Sequence, residues 1–284
     1  MRYSFVLEHL LLRKKHTYLT GASGTGKSVI LSSKLEEIKE PKSLDNFQLI
    51  FSAQTSSSYI TQATIETKLN KLSMKEIGAR PGRQMVIMID DINMPSVEEF
   101  GAQPPIELLR LIVDKEGLYD RKSWEWKRVI KTVLVSCSAP PGGGRNNLTQ
   151  RFTRHFNILN LPQPSEDVLT KIFESMLKGF FEVNNFAASV KQNVSGIVQS
   201  TIFCYNDIMR EMKPIPSKFH YTFNLRDVSK VFQGIMMVNG TSVRDDDTIT
   251  KLWIHEVSRV FHDRLINDND RDWFYNKVLE LVLQ

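Results

Sequence analysis

The stretch Gly21-Ala22-Ser23-Gly24-Thr25-Gly26-Lys27-Ser28 determines how this chain of 284 residues is interpreted. It matches the pattern G-x-x-x-x-G-K-[ST] in full. The sequence predicts a short strand over residues 16–20 before it and a helix over residues 28–40 after it. In that context the glycines turn backbone N–H groups inward around phosphate groups, and the helix N-terminus adds its positive dipole end. The stretch therefore predicts a phosphate-binding loop.

Two acidic residues further along the chain are the expected partners of this loop. Lys27 would reach the β- and γ-phosphates of a nucleotide, and the Ser28 hydroxyl would bind Mg²⁺. Residues 85–89 form a continuous apolar run, typical of a buried parallel strand, and the run ends in Asp90 and Asp91. We predict that Asp90 helps to hold Mg²⁺ and that Asp91 polarises the attacking water as a general base. A glutamate would reach one methylene further than Asp91, so slow turnover is expected.

The pattern of strands and helices changes once along the chain. Besides the strands already given, the first part has strand patterns at 47–52, 130–138 and 155–161, helical patterns at 59–72 and 106–114, and a hairpin pattern at 118–129. Such alternation indicates a parallel sheet with helices on both faces. After Pro162 and Pro164 the patterns are helical only, at 165–181, 187–212, 225–238, 248–266 and 270–283. We therefore predict an α/β fold, with a parallel αβα domain over residues 1–162 and a small all-helical domain over residues 163–284.

Composition excludes several classes of protein. Hydrophobic residues make up 41% and charged residues 24% of the chain, which is typical of a globular protein and not of a collagenous or disordered one. The two cysteines, Cys137 and Cys204, are too few for a disulfide framework or a cysteine-based zinc site, and they fit a reducing compartment. No apolar run reaches the roughly 18 residues of a membrane helix.

The net charge of +5 is confined to the first half of the chain. Residues 1–150 hold 21 basic and 16 acidic side chains, and the remainder is balanced. This excess is compatible with nucleic acid or with the phosphates of a small ligand. Trp124 and Trp126 alternate as on one face of a hairpin strand, among basic residues. Such a pattern can stack on nucleic acid, but a contact with another module or a pore-side hairpin is preferred.

The motifs together resemble an AAA+ ATPase module, with a P-loop domain followed by a helical lid. Several longer strings are similar to the third AAA+ module of a dynein heavy chain, of the axonemal type more than the cytoplasmic type. They are DDINMP at 90–95, GAQPPIELLR at 101–110, PPGGGRN at 140–146, RFTRHFN at 151–157 and HYTFNLRD at 220–227.

The resemblance implies roles for three arginines. Arg226 matches the sensor-two position at the start of a lid helix, from which a guanidinium reaches the γ-phosphate. Arg151 and Arg154 lie where such modules place an arginine finger, which acts in the site of a neighbouring module; Arg154 is preferred. The sensor-one position departs from the family pattern, because residues 136–140 contain no asparagine. Ser138 or Asn146 is the expected substitute.

The resemblance implies that the chain is a regulatory motor module. Such a module binds ATP and Mg²⁺ and hydrolyses ATP weakly or slowly. Its implied partners are the neighbouring AAA+ modules of the same heavy chain, the microtubule through the full motor, and dynein intermediate and light chains, with no direct nucleic acid and no membrane. The implied location is the cytoplasm and cytoskeleton, in the axoneme of a cilium or flagellum. The chain itself is expected to be a fragment.

Three alternatives to this interpretation remain open. The first is a nucleotide switch that never hydrolyses. The second is a DNA-acting AAA+ protein such as a replication initiator, although the chain has no helix-turn-helix pattern. The third is a metabolic P-loop kinase, which a helical lid carrying Arg226 disfavours.

Overall fold

The computed structural model describes residues 2–55, 57–243 and 245–283. The chain divides into two compact units, Met1–Gln163 and Pro164–Gln284. The division falls one residue after the predicted domain boundary. Within the described residues, no helix combines the length and the apolar character needed to cross a membrane.

The first unit alternates strands with helices. Its strands are β1 (Thr17–Gly21), β2 (Leu44–Ile50), β3 (Asn70–Lys71), β4 (Glu76–Gly78), β5 (Gln84–Asp90), β6 (Gly117–Tyr119), β7 (Trp126–Ile130), β8 (Thr132–Ser138) and β9 (Asn157–Leu161). Its helices are α1 (Arg2–Leu12), α2 (Lys27–Lys39), α3 (Ser58–Lys68), α4 (Pro104–Lys115) and α5 (Gln150–Thr153).

Five of these strands form a parallel sheet in the order β2-β5-β8-β1-β9. In its register Gly21 lies opposite Leu161, and Leu19 lies opposite Cys137. The strands β5, β8 and β1 are neighbours and run in one direction, so their carboxyl ends meet at one edge of the sheet. A parallel sheet places its ligands beyond this edge. The predicted parallel αβα architecture is confirmed.

The sheet has a hydrophobic core on each face. Along β5, Val86 and Met88 pack with buried residues of α1 and α2, whereas Ile87 and Ile89 pack with buried residues of α3 and α4. Successive side chains of a strand point to opposite faces, so each face of β5 is apolar. Burial on both faces explains the continuous apolar run that marks this strand in the sequence.

A second, four-stranded sheet has the order β3-β4-β7-β6 and contains the predicted hairpin as the antiparallel pair β6-β7. The strands β3 and β4 were not predicted. The helix expected to continue to residue 72 ends at Lys68, where Leu69 adopts an extended conformation. Trp124 was expected on a hairpin strand, but it lies in the turn, with φ at +58° and 76% of its surface exposed.

The second unit is helical in its described residues. Its helices are α6 (Glu166–Val183), α7 (Ala188–Gln192), α8 (Val194–Glu211), α9 (Leu225–Ile235), α10 (Asp246–Val260) and α11 (Asp268–Leu283). The single helix expected over residues 187–212 is divided into α7 and α8, because the backbone turns at Asn193 (ψ −4°). One apolar core holds the unit together, and in it Phe173 of α6 stacks on Phe232 of α9 with ring centroids 4.3 Å apart. This unit has the helical content predicted for a lid.

Candidate functional site

The phosphate-binding loop predicted at residues 21–28 connects β1 to α2. Gly24 and Gly26 both have φ at +83°, a conformation that residues with a side chain rarely adopt. Gly21 has φ at +156° and a further constraint, because a Cβ atom there would lie 2.4 Å from the carbonyl oxygen of Leu161 on β9. Gly26 directly precedes α2, so the N-terminal N–H groups of that helix are exposed to the loop. The loop therefore has the geometry of an anion site.

Lys27 is the first residue of α2, and only 8% of its surface is exposed. Its ammonium donates hydrogen bonds to the carbonyl oxygens of Gly21 (2.9 Å) and Ala22 (2.7 Å). The Thr25 hydroxyl lies 3.4 Å from the same nitrogen and itself donates to Ala22. Burial lowers the pKa of Lys27, while the Asp91 and Asp90 carboxylates oppose that shift. The loop thus holds its cation in place with its own backbone.

The two predicted Mg²⁺ ligands are linked by a residue that the sequence did not assign to the site. The Cys137 thiol on β8 donates to Asp90 Oδ1 at 2.9 Å, and its sulfur lies 3.8 Å from Ser28 Oγ. Burial and the adjacent Asp90 raise the pKa of Cys137, so this thiol stays protonated and acts as a donor. In the sequence, Cys137 is one residue of a buried strand. Its neighbours become known only with the strand order.

The oxygen donors of Ser28 and Asp90 suit a magnesium ion. Mg²⁺ prefers hard oxygen ligands and is usually held by one or two side chains together with substrate phosphates and water. Among residues 2–55, 57–243 and 245–283, no group of three or more His, Cys, Asp or Glu side chains could hold a metal by itself. A hydroxyl and a carboxylate next to a phosphate-binding loop therefore fit a metal ion that arrives with a nucleotide.

Asp91, the predicted general base, follows Asp90 in a tight turn. Its φ of +51° is in the left-handed region, its N–H donates to Asp90 Oδ1 at 3.0 Å, and its carbonyl accepts from Met94 N–H at 2.9 Å. Within the described part of the chain its carboxylate has no ion pair or hydrogen bond. The turn places a second carboxylate next to the one expected at the metal. Its role as a base stays a prediction.

The two candidates for the sensor-one position are both engaged in other contacts. Ser138 shares a hydrogen bond with the Tyr18 hydroxyl (2.5 Å) and donates to the carbonyl oxygen of Ala139 (3.0 Å). The Asn146 side-chain nitrogen donates to the carbonyl oxygen of Pro95 at 2.7 Å. These bonds fix the loop that follows β8, and they use groups that would otherwise orient a water molecule.

The predicted arginine fingers lie on the surface near α5, in the segment before β9. Arg151 is exposed, and Arg154 has 64% of its side chain exposed. The Arg154 guanidinium lies 3.4 Å from Asp114 of α4, which His155 also approaches at 3.5 Å. No contact of either arginine with the loop at 21–28 occurs among the described residues. Exposure is compatible with action on another module, which stays a prediction.

Arg226 lies in the first turn of α9 in the second unit, and its side chain is exposed. The helix is capped by Asn224, whose side chain accepts from the Arg226 N–H at 2.8 Å. Asp227 completes the capping box by accepting from the Asn224 N–H at 3.0 Å. The start of this helix is therefore well defined. The reach of Arg226 to a γ-phosphate stays a prediction.

Most cations of the basic hairpin lie near carboxylates, whereas Lys122 is exposed and has no carboxylate partner in the described residues. Arg121 lies 2.7 Å from Glu66, Lys127 pairs with Asp120, and Arg128 lies 3.9 Å from Glu76. Trp126 packs edge-on against Tyr119, with ring centroids 5.0 Å apart. The charges that suggested stacking on nucleic acid are thus largely neutralised within the unit.

Comparison with known proteins places this site in a family. The model of the P-loop containing dynein motor region matches residues 1–164, and the model of the AAA+ lid domain matches residues 197–283. The chain is 44% identical over 282 residues to dynein axonemal heavy chain 6 of Homo sapiens, covering 99% of this chain and 7% of that protein.

Two further relatives show the same relationship. The chain is 39% identical to dynein axonemal heavy chain 12 of Mus musculus, covering 99% of this chain and 9% of that protein. It is 41% identical to dynein axonemal heavy chain 1 of Homo sapiens, covering 96% of this chain and 7% of that protein. The chain thus spans less than a tenth of the length of these curated relatives.

Proposed function

Because the chain belongs to the family of P-loop dynein motor regions, we propose that it is an AAA+ module of a dynein heavy chain that binds ATP with Mg²⁺. One observation carries this proposal. A buried lysine is fixed under a glycine loop, and the hydroxyl and carboxylate expected to bind Mg²⁺ approach the same thiol. An ammonium, backbone N–H groups and hard oxygen donors together match a nucleotide phosphate chain with its metal ion.

Each residue of the site would have a defined task. The loop N–H groups and the N-terminus of α2 would hold the phosphates, and Lys27 would contact their terminal oxygens. Ser28 and Asp90 would hold Mg²⁺, with Cys137 keeping the Asp90 carboxylate in orientation. When bound, Mg²⁺ would neutralise negative charge on the transferring phosphoryl group. Asp91 would orient the attacking water.

A direct test is equilibrium binding of fluorescent ATP and ADP to the 284-residue chain in the presence of Mg²⁺. Lys27→Ala should weaken the affinity for ATP by at least about tenfold, because a charge-assisted hydrogen bond contributes about 1.5–3 kcal/mol. Lys39→Ala is the matched control, since Lys39 lies in the same helix with a surface partner, Glu36, at 3.4 Å. A folded chain that binds neither nucleotide would refute the proposal.

We propose that hydrolysis at this site is slow and regulatory. The groups of Ser138 and Asn146 that would position water are engaged elsewhere, and Asp91 is shorter by one methylene than a glutamate. The same observations favour the second candidate function, a nucleotide switch that does not hydrolyse. Single-turnover hydrolysis measured within the intact motor ring, compared with Asp91→Asn, separates the two. Phosphate release no faster than in the variant would establish the switch.

The wider setting of the module is also proposed from its relatives, which are named as axonemal heavy chains. The protein would then lie in the axoneme of a cilium or flagellum and act with neighbouring AAA+ modules of its heavy chain. It would affect the microtubule through the full motor, in which dynein intermediate and light chains take part. The motif strings support assignment to the third module. Arg151 or Arg154 would serve a neighbouring site, and Arg226 would serve this one.

A further inference from the structure

Arg145 lies in the loop that follows β8 and has an unusual environment for an arginine of this chain. Its side chain is partly buried, and its Nε atom is buried without a hydrogen-bond partner. Among the described residues it also has no carboxylate partner. The other arginines described as partly buried each lie within 4.0 Å of a carboxylate; they are Arg83, Arg110, Arg121, Arg264 and Arg271. A partly buried guanidinium without a carboxylate partner has an uncompensated positive charge that an anionic ligand would neutralise.

The loop that carries Arg145 is held firmly. Gly142 and Arg145 exchange backbone hydrogen bonds of 3.0 and 3.2 Å. The next residue, Asn146, is held by two further hydrogen bonds. Its N–H donates to the Asn93 carbonyl oxygen (2.9 Å), and its side-chain nitrogen donates to the Pro95 carbonyl oxygen (2.7 Å). Both partners belong to the segment that follows Asp90. The position of Arg145 is therefore set by hydrogen bonds to that segment.

The sheet topology places this loop at the phosphate site. Since β8 lies between β1 and β5, the loop after β8 emerges between the glycine loop and Asp90. Lys27 follows the loop after β1 and Arg145 lies in the loop after β8, so both cations belong to this edge of the sheet. Two cations in a partly buried site favour an anionic ligand between them.

We propose that the Arg145 guanidinium is a ligand for the terminal phosphate of a bound nucleoside triphosphate. It would thereby make the site bind a triphosphate more tightly than a diphosphate. The inference rests on the proposed function. The phosphate chain would run from the loop at 21–28 toward the acids at the end of β5. The loop after β8 faces the far end of that chain, where only a triphosphate has a phosphoryl group.

Calorimetric binding of a non-hydrolysable triphosphate analogue and of ADP, both with Mg²⁺, tests this role. Arg145→Gln should weaken binding of the analogue by about tenfold or more, the size of one charge-assisted hydrogen bond, and binding of ADP less than about threefold. Arg145→Lys should fall between the wild type and Arg145→Gln. Arg13→Gln is the matched control, because Arg13 is exposed and has no carboxylate partner in the described residues; its affinities should equal those of the wild type.

Thermal unfolding without nucleotide provides a readout that a structural role would change. Loss of an unpartnered guanidinium should leave the melting temperature of Arg145→Gln equal to or above that of the wild type, whereas the rise produced by the triphosphate analogue should shrink. Equal weakening of both nucleotides with a lower melting temperature would overturn the inference. So would unchanged binding of the analogue by Arg145→Gln when the wild type binds it. A wild type that binds no nucleotide would remove the proposed function as well.

Discussion

Replacing Gly21 by alanine tests whether close backbone approach shapes the phosphate-binding loop. The added Cβ would lie 2.4 Å from the Leu161 carbonyl oxygen and 3.3 Å from the Leu161 Cβ. A normal C···O contact is about 3.3 Å or more, so β1 and β9 would have to separate by about 0.9 Å at this end. The neighbouring atom is backbone, so no change of rotamer relieves the contact. The Gly21 carbonyl that accepts from Lys27 would move with it.

The magnitude follows from two contributions. Overpacking costs about 1–3 kcal/mol, and a backbone conformation that only glycine readily adopts costs a further 1–3 kcal/mol, roughly. Gly21→Ala should therefore lower the free energy of unfolding by about 2–6 kcal/mol. Gly26→Ala is the matched control, because its φ is +83° but no atom lies within 4 Å of its added Cβ. It should cost only about 1–2 kcal/mol.

Urea unfolding followed by circular dichroism measures both variants against the wild type. Thermal unfolding gives an independent measure, since about 1 kcal/mol shifts the melting temperature by roughly 2–4 °C in a unit of this size. We expect Gly21→Ala to melt clearly below Gly26→Ala. Equal destabilisation by the two substitutions would refute the reasoning, because the contact with Leu161 would then contribute nothing beyond backbone conformation.

Three further predictions concern single contacts. Cys137→Ala removes the donor to Asp90, so half-saturation of ATP binding should require about tenfold more Mg²⁺, whereas Cys137→Ser keeps a donor and should stay near the wild type. Burial lowers the pKa of His16 to about 4, below its ordinary value, and its Nδ1 accepts from the Leu134 N–H. Because the unfolded chain binds this proton more tightly, the contribution of His16 to stability is complete above about pH 6.5 and falls between pH 6.5 and 4. Urea unfolding across this pH range should show that the loss due to His16 is absent in His16→Asn. Thr201→Val leaves the Trp253 indole N–H without its 2.8 Å partner and should cost about 1–3 kcal/mol in urea unfolding, whereas a comparable loss in Thr201→Ser would contradict this origin.

Much of the first unit was predictable because its signals are local. The glycine loop needs particular backbone angles, and the apolar run before Asp90 reports burial on both faces of one strand. The strands β3 and β4 were missed because they are two and three residues long and carry no periodicity. The division of the helix expected over residues 187–212 was missed because apolar residues keep a helical spacing across Asn193, at Val190, Val194, Ile197 and Val198.

The amino-acid sequence by itself determined the phosphate loop, the acids that follow β5, the αβα architecture and the helical second unit, because each depends on residues close together in the chain. Only the tertiary structure decided that Cys137 joins Asp90 and approaches Ser28, and that Arg145 has no carboxylate among the described residues. Asp90 and Cys137 are 47 residues apart in the chain. Such contacts follow from the order of β5, β8 and β1 in the sheet, and the local pattern of a strand does not specify which strand will lie beside it.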